Sequence, residues 1–137
     1  MKMLLKNELK AFQERFCSFG DACVKSVSFS YERKDFHMEI EAQDFACVPS
    51  CWRHIILTVK GCFSMRAASG NAAYDVLSLG LNILFENENV GLEFGNFADT
   101  PESLAKLMTS PFHVAGKHLY WDIKGPSITS SIQEDLK

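Results

Sequence analysis

Apolar residues at every second position of two neighbouring segments constrain the fold of this chain more than any other feature of its sequence. In the first segment Val27, Phe29 and Tyr31 alternate with serines. The second segment alternates polar residues with Phe36, Met38, Ile40 and Ala42. A period of two is typical of strands with one buried face, and the short charged stretch 32–35 joins the two segments. The pattern therefore predicts an antiparallel β-hairpin.

A helical period precedes this hairpin. The apolar stripe consists of Leu5, Leu9, Phe12 and Phe16. Spacings of 4, 3 and 4 residues place these side chains on one face of an amphipathic helix, which we predict from Lys2 to Cys17. Gly20 follows, and a glycine after a helix favours the left-handed C-cap conformation. We therefore expect the helix to pack its stripe on the sheet and to end before this glycine.

The rest of the chain alternates short apolar runs with turns. A run rich in Ile, Leu, Thr and Val predicts a long strand from Trp52 to Phe63. Residues 77–94 predict a second hairpin with its turn at 86–89, and Pro101 to Met108 predict a short helix that begins after the hydroxyl of Thr100. The final strands are predicted at 112–115 and 118–123.

Together these elements predict an α+β fold. An N-terminal amphipathic helix would pack on a curved, mainly antiparallel sheet of about six or seven strands, with one short helix in addition. The length of 137 residues suits one domain, which we assign to residues 1–124. Residues 125–137 would form a polar C-terminal tail.

Charge and hydropathy exclude several classes of protein. The formal net charge of −3 gives no general attraction for nucleic acid or for an anionic membrane. No apolar run approaches the ~18–20 residues of a membrane span, and the first residues lack the apolar core of a signal peptide. We therefore expect a cytoplasmic protein that binds neither nucleic acid nor membrane.

The five cysteines form no disulfide scaffold, because their number is odd and their spacing is wide. Free thiols in a reducing compartment are the expected state. Cys47, Cys51 and His54 nevertheless lie close together in sequence, and thiolates and imidazole are ligands of zinc. A metal site at these three residues is one alternative, and a Cys47–Cys51 disulfide that forms on oxidation is another.

Catalytic signatures are absent from the sequence. Cys51, His54, His113, His118 and Asp122 are residue types used in nucleophilic catalysis, but no local motif such as Gly-x-Ser-x-Gly connects them. We predict no catalytic residue and no cofactor. A small enzyme that uses the Cys47, Cys51 and His54 region remains the alternative.

An acidic block occupies the middle of the chain, where no Lys or Arg occurs between Arg66 and Lys106. These acids either keep turns and strand ends soluble or form a face that attracts a basic protein partner. Aromatic residues in the same block would be the anchors of such a face. The predicted partner-binding residues are Asp75, Glu86, Glu88, Glu93, Asp99, Tyr74 and Phe97; Glu102 belongs to the same acidic block.

Two segments carry a resemblance to a known class of proteins. The stretch from Phe19 to Phe29 leads through a small Asp-Ala step into an alternating strand, and an aromatic-rich meander closes on Leu119 to Ile123. In these features the chain resembles small uncharacterised bacterial proteins of the toxin-immunity type. The resemblance implies a non-enzymatic cytoplasmic protein that binds and blocks a toxin domain.

Overall fold

The computed structural model describes residues 1–47, 49, 51–67, 75–77 and 79–124. Two α-helices occur in this part of the chain, α1 (Leu9–Arg15) and α2 (Leu104–Leu107), and single turns of 3-10 type lie at Lys6–Glu8 and Cys17–Phe19. The strands are β1 (Lys2–Met3), β2 (Ala22–Ser30), β3 (Asp35–Asp44), β4 (Cys51–Lys60), β5 (Ser64–Ala67), β6 (Asp75–Leu77), β7 (Asn82–Glu86), β8 (Asn89–Glu93), β9 (Phe112–Gly116) and β10 (His118–Ile123).

The predicted first hairpin is β2 and β3, and it lies within a six-stranded antiparallel sheet. The strand order of this sheet is β1-β10-β4-β3-β2-β6. Along β3 the residues alternate between partly exposed and buried, and the predicted apolar positions are the buried ones. Phe36, Met38 and Ile40 are at most 1% exposed, so the alternation identified the core face of the sheet correctly.

A second sheet of four strands, ordered β5-β9-β8-β7, shares one hydrophobic core with the first. Phe36 of the first sheet stacks on Phe94, which follows β8, with ring centroids 6.0 Å apart. Among the described residues, every strand pair in both sheets is antiparallel.

The predicted long strand from Trp52 to Phe63 ends early, because the chain changes sheets at Gly61. This glycine has φ +68°, in the left-handed region that glycine adopts without strain. The first strand of the second predicted hairpin is also interrupted, because its residues divide between β6 and β7. Strand β6 pairs with β2 in the first sheet, and β7 pairs with β8 in the second.

Gly80 makes the crossing between β6 and β7 feasible. Its φ is +80°, and a Cβ at this position would collide with the carbonyl oxygen of Ser18. The next residue, Leu81, donates its backbone N–H to that same oxygen at 2.8 Å. Only glycine allows this close approach, and the apolar alternation around it gave no sign of the change of sheet.

The N-terminal helix is shorter than the predicted span from Lys2 to Cys17. Lys2 and Met3 form β1, which pairs with Trp121 and Tyr120 of β10, and the helix itself begins at Leu9. The neighbouring Leu4 donates its N–H to the Leu119 carbonyl at 2.8 Å. Pairing with the sheet satisfies backbone groups that a helix beginning at Lys2 would have needed for itself.

The later start of the helix changes which apolar side chains near the N-terminus are buried. Leu4 is 4% exposed, whereas Leu5, the first residue of the predicted stripe, is 50% exposed. Leu9 is partly buried, and Phe12 and Phe16 are buried as predicted. The rings of Phe12, Phe16, Phe19 and Trp121 form one aromatic cluster between helix and sheet, with centroids 5.2–5.9 Å apart.

The helix does not end on a left-handed glycine. Gly20 has φ −58°, and the positive φ values belong to Cys17, Ser18 and Phe19. Such values strain residues that carry a Cβ. Phe19 is fully buried in the aromatic cluster, and this burial offsets the strain of the left-handed turn.

The short helix α2 covers the outer face of the second sheet. Its N-cap is Ser103, whose side chain accepts the backbone N–H of Lys106 at 3.2 Å, so the helix begins later than the predicted cap at Thr100. Leu104 and Leu107 pack on Gly91 of β8 so closely that a Cβ there would meet both side chains. Because the helix begins after Ser103, residues 101–103, which were predicted to be helical, belong to the loop before α2.

The predicted α+β fold, with an N-terminal helix and antiparallel strands, is confirmed. The strands of the described residues number ten in two sheets, since single predicted runs divide between the sheets. Within the same residues, no helix is long and apolar enough to cross a lipid bilayer. The predicted tail at 125–137 lies outside the described residues.

A buried carboxylate links α1 to the end of the first hairpin. Asp44 is fully buried, and Arg15 of α1 donates to both of its oxygens at 2.9 Å. Arg53 of β4 lies 2.9 Å from Asp44 Oδ2, and Ala46 donates its backbone N–H to Oδ1. Burial raises the pKa of Asp44, but the hydrogen bonds and the two guanidinium charges outweigh it and hold that pKa below its usual value.

The lowered pKa predicts a loss of stability in acid. Because the folded-state pKa of Asp44 lies below the unfolded value of ~3.9, its ionic contacts stabilise the fold above that pH and are lost as pH falls. We expect Asp44→Asn to lower the free energy of unfolding by about 2–3 kcal/mol near neutral pH, and this difference to shrink below about pH 4. Urea denaturation across this range measures it, with the exposed Asp122→Asn as control. A difference that stays constant down to pH 2 would contradict the assignment.

Candidate functional site

The predicted acidic residues do not gather on one face. Glu86 and Glu88 lie at the turn between β7 and β8, where Glu86 pairs with Asn89. Phe97 and Asp99 follow the opposite end of β8, about 13 Å along the strand at ~3.3 Å per residue. The structure therefore divides the predicted face into two separate parts.

Two of the predicted residues cannot be assigned to either part. Asp75 lies in β6, at an edge of the first sheet. Tyr74 lies outside the described residues.

The prediction that Glu93 belongs to an acidic surface is wrong, because this residue is 0% exposed. It pairs across the second sheet with Asn82 on one side and His113 on the other, and both of these are also buried. These three aligned residues face α2 and the loop before it. Gly91, two residues earlier on β8 and therefore on the same face, contacts Leu104 and Leu107 of α2. A covered carboxylate cannot contact a partner.

The buried carboxylate of Glu93 instead holds the loop that follows β8. Its Oε1 accepts the backbone N–H of Asn96 at 2.6 Å and the hydroxyl of Ser110 at 3.1 Å. Its Oε2 accepts the side-chain amide of Asn82 at 2.8 Å and the backbone N–H of Phe97 at 3.3 Å. Both oxygens thus have two donors each, which only a carboxylate can satisfy completely.

Further polar contacts extend this network to both sides. On one side, Asn82 donates to the carbonyl of Phe97 at 2.9 Å, and Thr100 donates to Asn82 Oδ1 at 3.3 Å. On the other, His113 Nδ1 lies 2.7 Å from the Ser110 carbonyl, and its Nε2 lies 2.8 Å from Ser64 Oγ. The loop is therefore fixed to the sheet at several points.

The Ser64 and His113 pair has the components of an activated hydroxyl. A carbonyl can only accept, so His113 Nδ1 donates to Ser110, and its Nε2 lies at hydrogen-bond distance from Ser64 Oγ. His113 is only 3% exposed, and both of its ring nitrogens have partners in the network. The contact joins β5 to β9 as a structural link.

The loop fixed in this way borders a surface cavity of about 610 Å³. Residues 96–103 and Lys106 line it. Phe97 is partly buried beneath the ammonium of Lys106, whose Nζ lies 5.5 Å from the ring centroid. Asp99 and Glu102 are exposed at the same cavity. Two carboxylates, one ammonium and an aromatic ring are thus presented together.

The structure does not assemble the alternative metal site. Cys47 and Cys51 are joined as a disulfide, with Cα atoms 5.9 Å apart. His54 lies on the outer face of the first sheet, where its ring nitrogens are 3.4 Å from Glu39 and 3.3 Å from Glu41. Throughout the described ranges, no three His, Cys, Asp or Glu side chains form a group that could hold a metal ion.

In the structure Cys47 and Cys51 form the disulfide that the sequence allowed as an alternative to free thiols. Cys17, Cys23 and Cys62 are free, so two of the five cysteines are paired and three are unpaired. The two sulfurs meet because Asp44 and Cys51 are paired across β3 and β4, which brings the ends of the connecting loop together.

Sequence patterns missed the buried network around Glu93. Asn82, Glu93 and His113 occupy the polar positions of their strands, a pattern typical of a solvent-exposed face. Only the cover provided by the loop and α2 buries them. A signal was present in the three polar residue types that recur on neighbouring strands, but their cross-strand alignment depends on the register of pairing.

Comparison of the chain with protein-family models, with curated proteins and with solved structures finds no match.

Proposed function

We propose that this chain is a non-enzymatic protein-binding protein whose cavity loop, residues 96–103, recognises a basic protein partner. The single observation that supports this proposal is the attachment of the loop to the buried carboxylate of Glu93. In keeping with the toxin-immunity resemblance, the proposed partner is a toxin domain that the chain binds and blocks in a bacterial cytoplasm.

Rigidity of the loop favours binding. Association has a cost in conformational entropy when flexible segments become ordered at an interface. The N–H groups of Asn96 and Phe97 already have fixed acceptors before any partner arrives. The cavity loop therefore presents its side chains in one conformation, and less free energy is lost on ordering it.

The side chains at the cavity determine which partner fits. Asp99 and Glu102 are exposed and attract positive charge, which accelerates encounter with a basic surface. Phe97 supplies a partly buried aromatic anchor of the kind enriched at binding hot spots. Glu86 and Glu88, at the opposite end of β8, are left outside this proposed interface.

The experiment is a comparison of two variants with the same change in charge. Biotin-labelled full chain captures its partner from the organism that encodes it, and a purified candidate is then measured by surface plasmon resonance. We expect Asp99→Lys/Glu102→Lys to reduce the association rate at least tenfold, and rising salt to slow association of the unmodified chain. Glu86→Lys/Glu88→Lys, the matched control, should change the rate by less than about threefold.

Equal effects of the two variants would show that the cavity has no special role, since only the total charge would then matter. Capture of an acidic protein, or of none in stoichiometric amount, would also contradict the proposal. Phe97→Ala provides a separate measurement, in which we expect faster dissociation by about tenfold or more.

A further inference from the structure

The disulfide at the end of the first hairpin lies in an unusual chemical environment. Cys47 and Cys51 connect the end of β3 to the first residue of β4. The two residues differ in exposure, because Cys47 is partly exposed and Cys51 is only 5% exposed. Cys47 is therefore the more accessible residue of the pair.

A guanidinium group contacts the accessible sulfur. Arg53 Nε and Nη2 both lie 3.3 Å from Cys47 Sγ, with hydrogen-bond geometry. The same Arg53 Nε also lies 2.9 Å from Asp44 Oδ2, and Arg15 pairs with Asp44 at 2.9 Å as well. Two guanidinium groups face a single carboxylate here, so positive charge is in excess at the sulfur.

Positive charge at a sulfur stabilises the thiolate that forms when a disulfide is reduced. Thiolate is the reactive form in thiol–disulfide exchange, and neighbouring arginines favour it. The ion pair with Asp44 holds Arg53 in place, and the same guanidinium lies at hydrogen-bond distance from Cys47 Sγ, where it would stabilise a thiolate.

We propose that Cys47 and Cys51 are a redox-active pair that exchanges with the disulfides of small thiols, with Cys47 as the attacking sulfur and Cys51 as the resolving one. This proposal is independent of partner binding at the cavity loop, which lies on the second sheet.

The exchange balances as follows. In the reduced protein the Cys47 thiolate attacks a small-molecule disulfide RSSR, which forms a Cys47–SR bond and releases RS⁻. The Cys51 thiol then loses its proton and attacks Cys47 Sγ, which forms the protein disulfide and releases a second RS⁻. Two protons from the protein thiols convert both leaving thiolates into RSH, so two protein thiols are oxidised and one RSSR is reduced.

The remaining cysteines provide internal controls. Burial raises the pKa of the Cys62 thiol to about 11, so this residue is protonated and unreactive near neutral pH. Cys17 is exposed, and the guanidinium contact described for Cys47 is made to no other cysteine of the described chain. Site-resolved mass spectrometry of one sample therefore compares the guanidinium-paired sulfur with an exposed one and a buried one.

The test uses oxidised glutathione as the small disulfide, added at pH 7 to full-length protein that has been reduced and freed of reductant. We expect Cys51→Ser to accumulate a stable glutathione adduct at Cys47, because no resolving thiol is present. Cys47→Ser should form at least tenfold less adduct at Cys51. In the otherwise unchanged chain, the Cys47–Cys51 disulfide should form at least tenfold faster than any adduct at Cys17.

The role of Arg53 is tested in the Cys51→Ser background. Arg53→Gln should slow adduct formation at Cys47 by about tenfold, and Arg53→Lys should restore part of the rate because it restores the charge. Arg33→Gln, which removes an exposed arginine from the turn after β2, should leave the rate unchanged. Circular dichroism confirms that each variant is folded.

Two results would overturn the proposal. One is an adduct rate at Cys47 that is no higher than at Cys17, and the other is equal reaction at Cys47 and Cys51 in the two single-serine variants. If Arg53→Gln does not fold, the comparison of Cys47 with Cys17 in the Cys51→Ser protein decides the question alone.

Discussion

Phe16→Ala should lower the free energy of unfolding by about 3–5 kcal/mol, the largest effect that we expect from a single substitution in this chain. The ring is 1% exposed and contacts Phe12, Phe19 and Trp121, so its removal leaves a cavity between helix and sheet. Three aromatic contacts would be lost together with the buried apolar area. Urea denaturation followed by circular dichroism measures the difference.

Leu5→Ala is the matched control, because the apolar stripe in the sequence gave Leu5 and Phe16 the same role. Leu5 is 50% exposed in the structure, and we expect its replacement to change stability by less than about 0.5 kcal/mol. Equal losses from the two substitutions would mean that the helix begins near Lys2 after all, as the periodicity predicted.

The second large effect is expected for Glu93→Gln, at about 2–4 kcal/mol of the free energy of unfolding. A glutamine has one acceptor oxygen, so its amide group would face two of the four donors that surround the carboxylate. Each buried donor left without a partner costs about 1–3 kcal/mol. The substitution keeps the side-chain volume, and packing therefore does not explain a loss.

The control for this change is Glu88→Gln, an exposed position on the same hairpin where we expect less than about 0.5 kcal/mol. Hydrogen exchange at the amides of Asn96 and Phe97 adds a local measurement, since both N–H groups bond to Glu93. Protection should fall at these amides first. A stable Glu93→Gln protein with unchanged protection would show that the carboxylate does not hold the loop.

Strand and helix positions could be predicted where one side of an element is buried. In β3 the side chains alternate between faces by backbone geometry, so apolar residues at every second position identify the buried side. The same logic located Phe12 and Phe16 on the buried side of α1. These predictions needed no information about distant segments.

Positions of elements relative to one another could not be predicted in this way. One apolar run divides between β6 and β7 because the close approach of Gly80 to Ser18 turns the chain from one sheet to the other. Leu4 rather than Leu5 is buried because Lys2 and Met3 pair with β10, more than a hundred residues later. Contacts of this kind leave no periodic signal in the local sequence.

The candidate site shows the same limit. Phe97 and Asp99 were predicted from the acidic block, and the structure places both at one cavity. Glu93 was predicted for the same face but is buried beneath the loop, and His54 faces Glu39 and Glu41 instead of the cysteine pair. Residue type therefore indicated which side chains could bind a partner or a metal, but not which of them lie in contact in the folded chain.

The α+β class, the first hairpin and the aromatic side of the helix can be predicted from local sequence, because they follow from the period of a few neighbouring residues. The attachment of a loop to Glu93 and the contact of Cys47 with Arg53 are visible only in the folded chain. The physical reason is that burial and charge pairing depend on which distant segment covers a face. The Glu93 contacts reach 11 residues back to Asn82 and 17 residues forward to Ser110, which strand register and loop packing alone bring together.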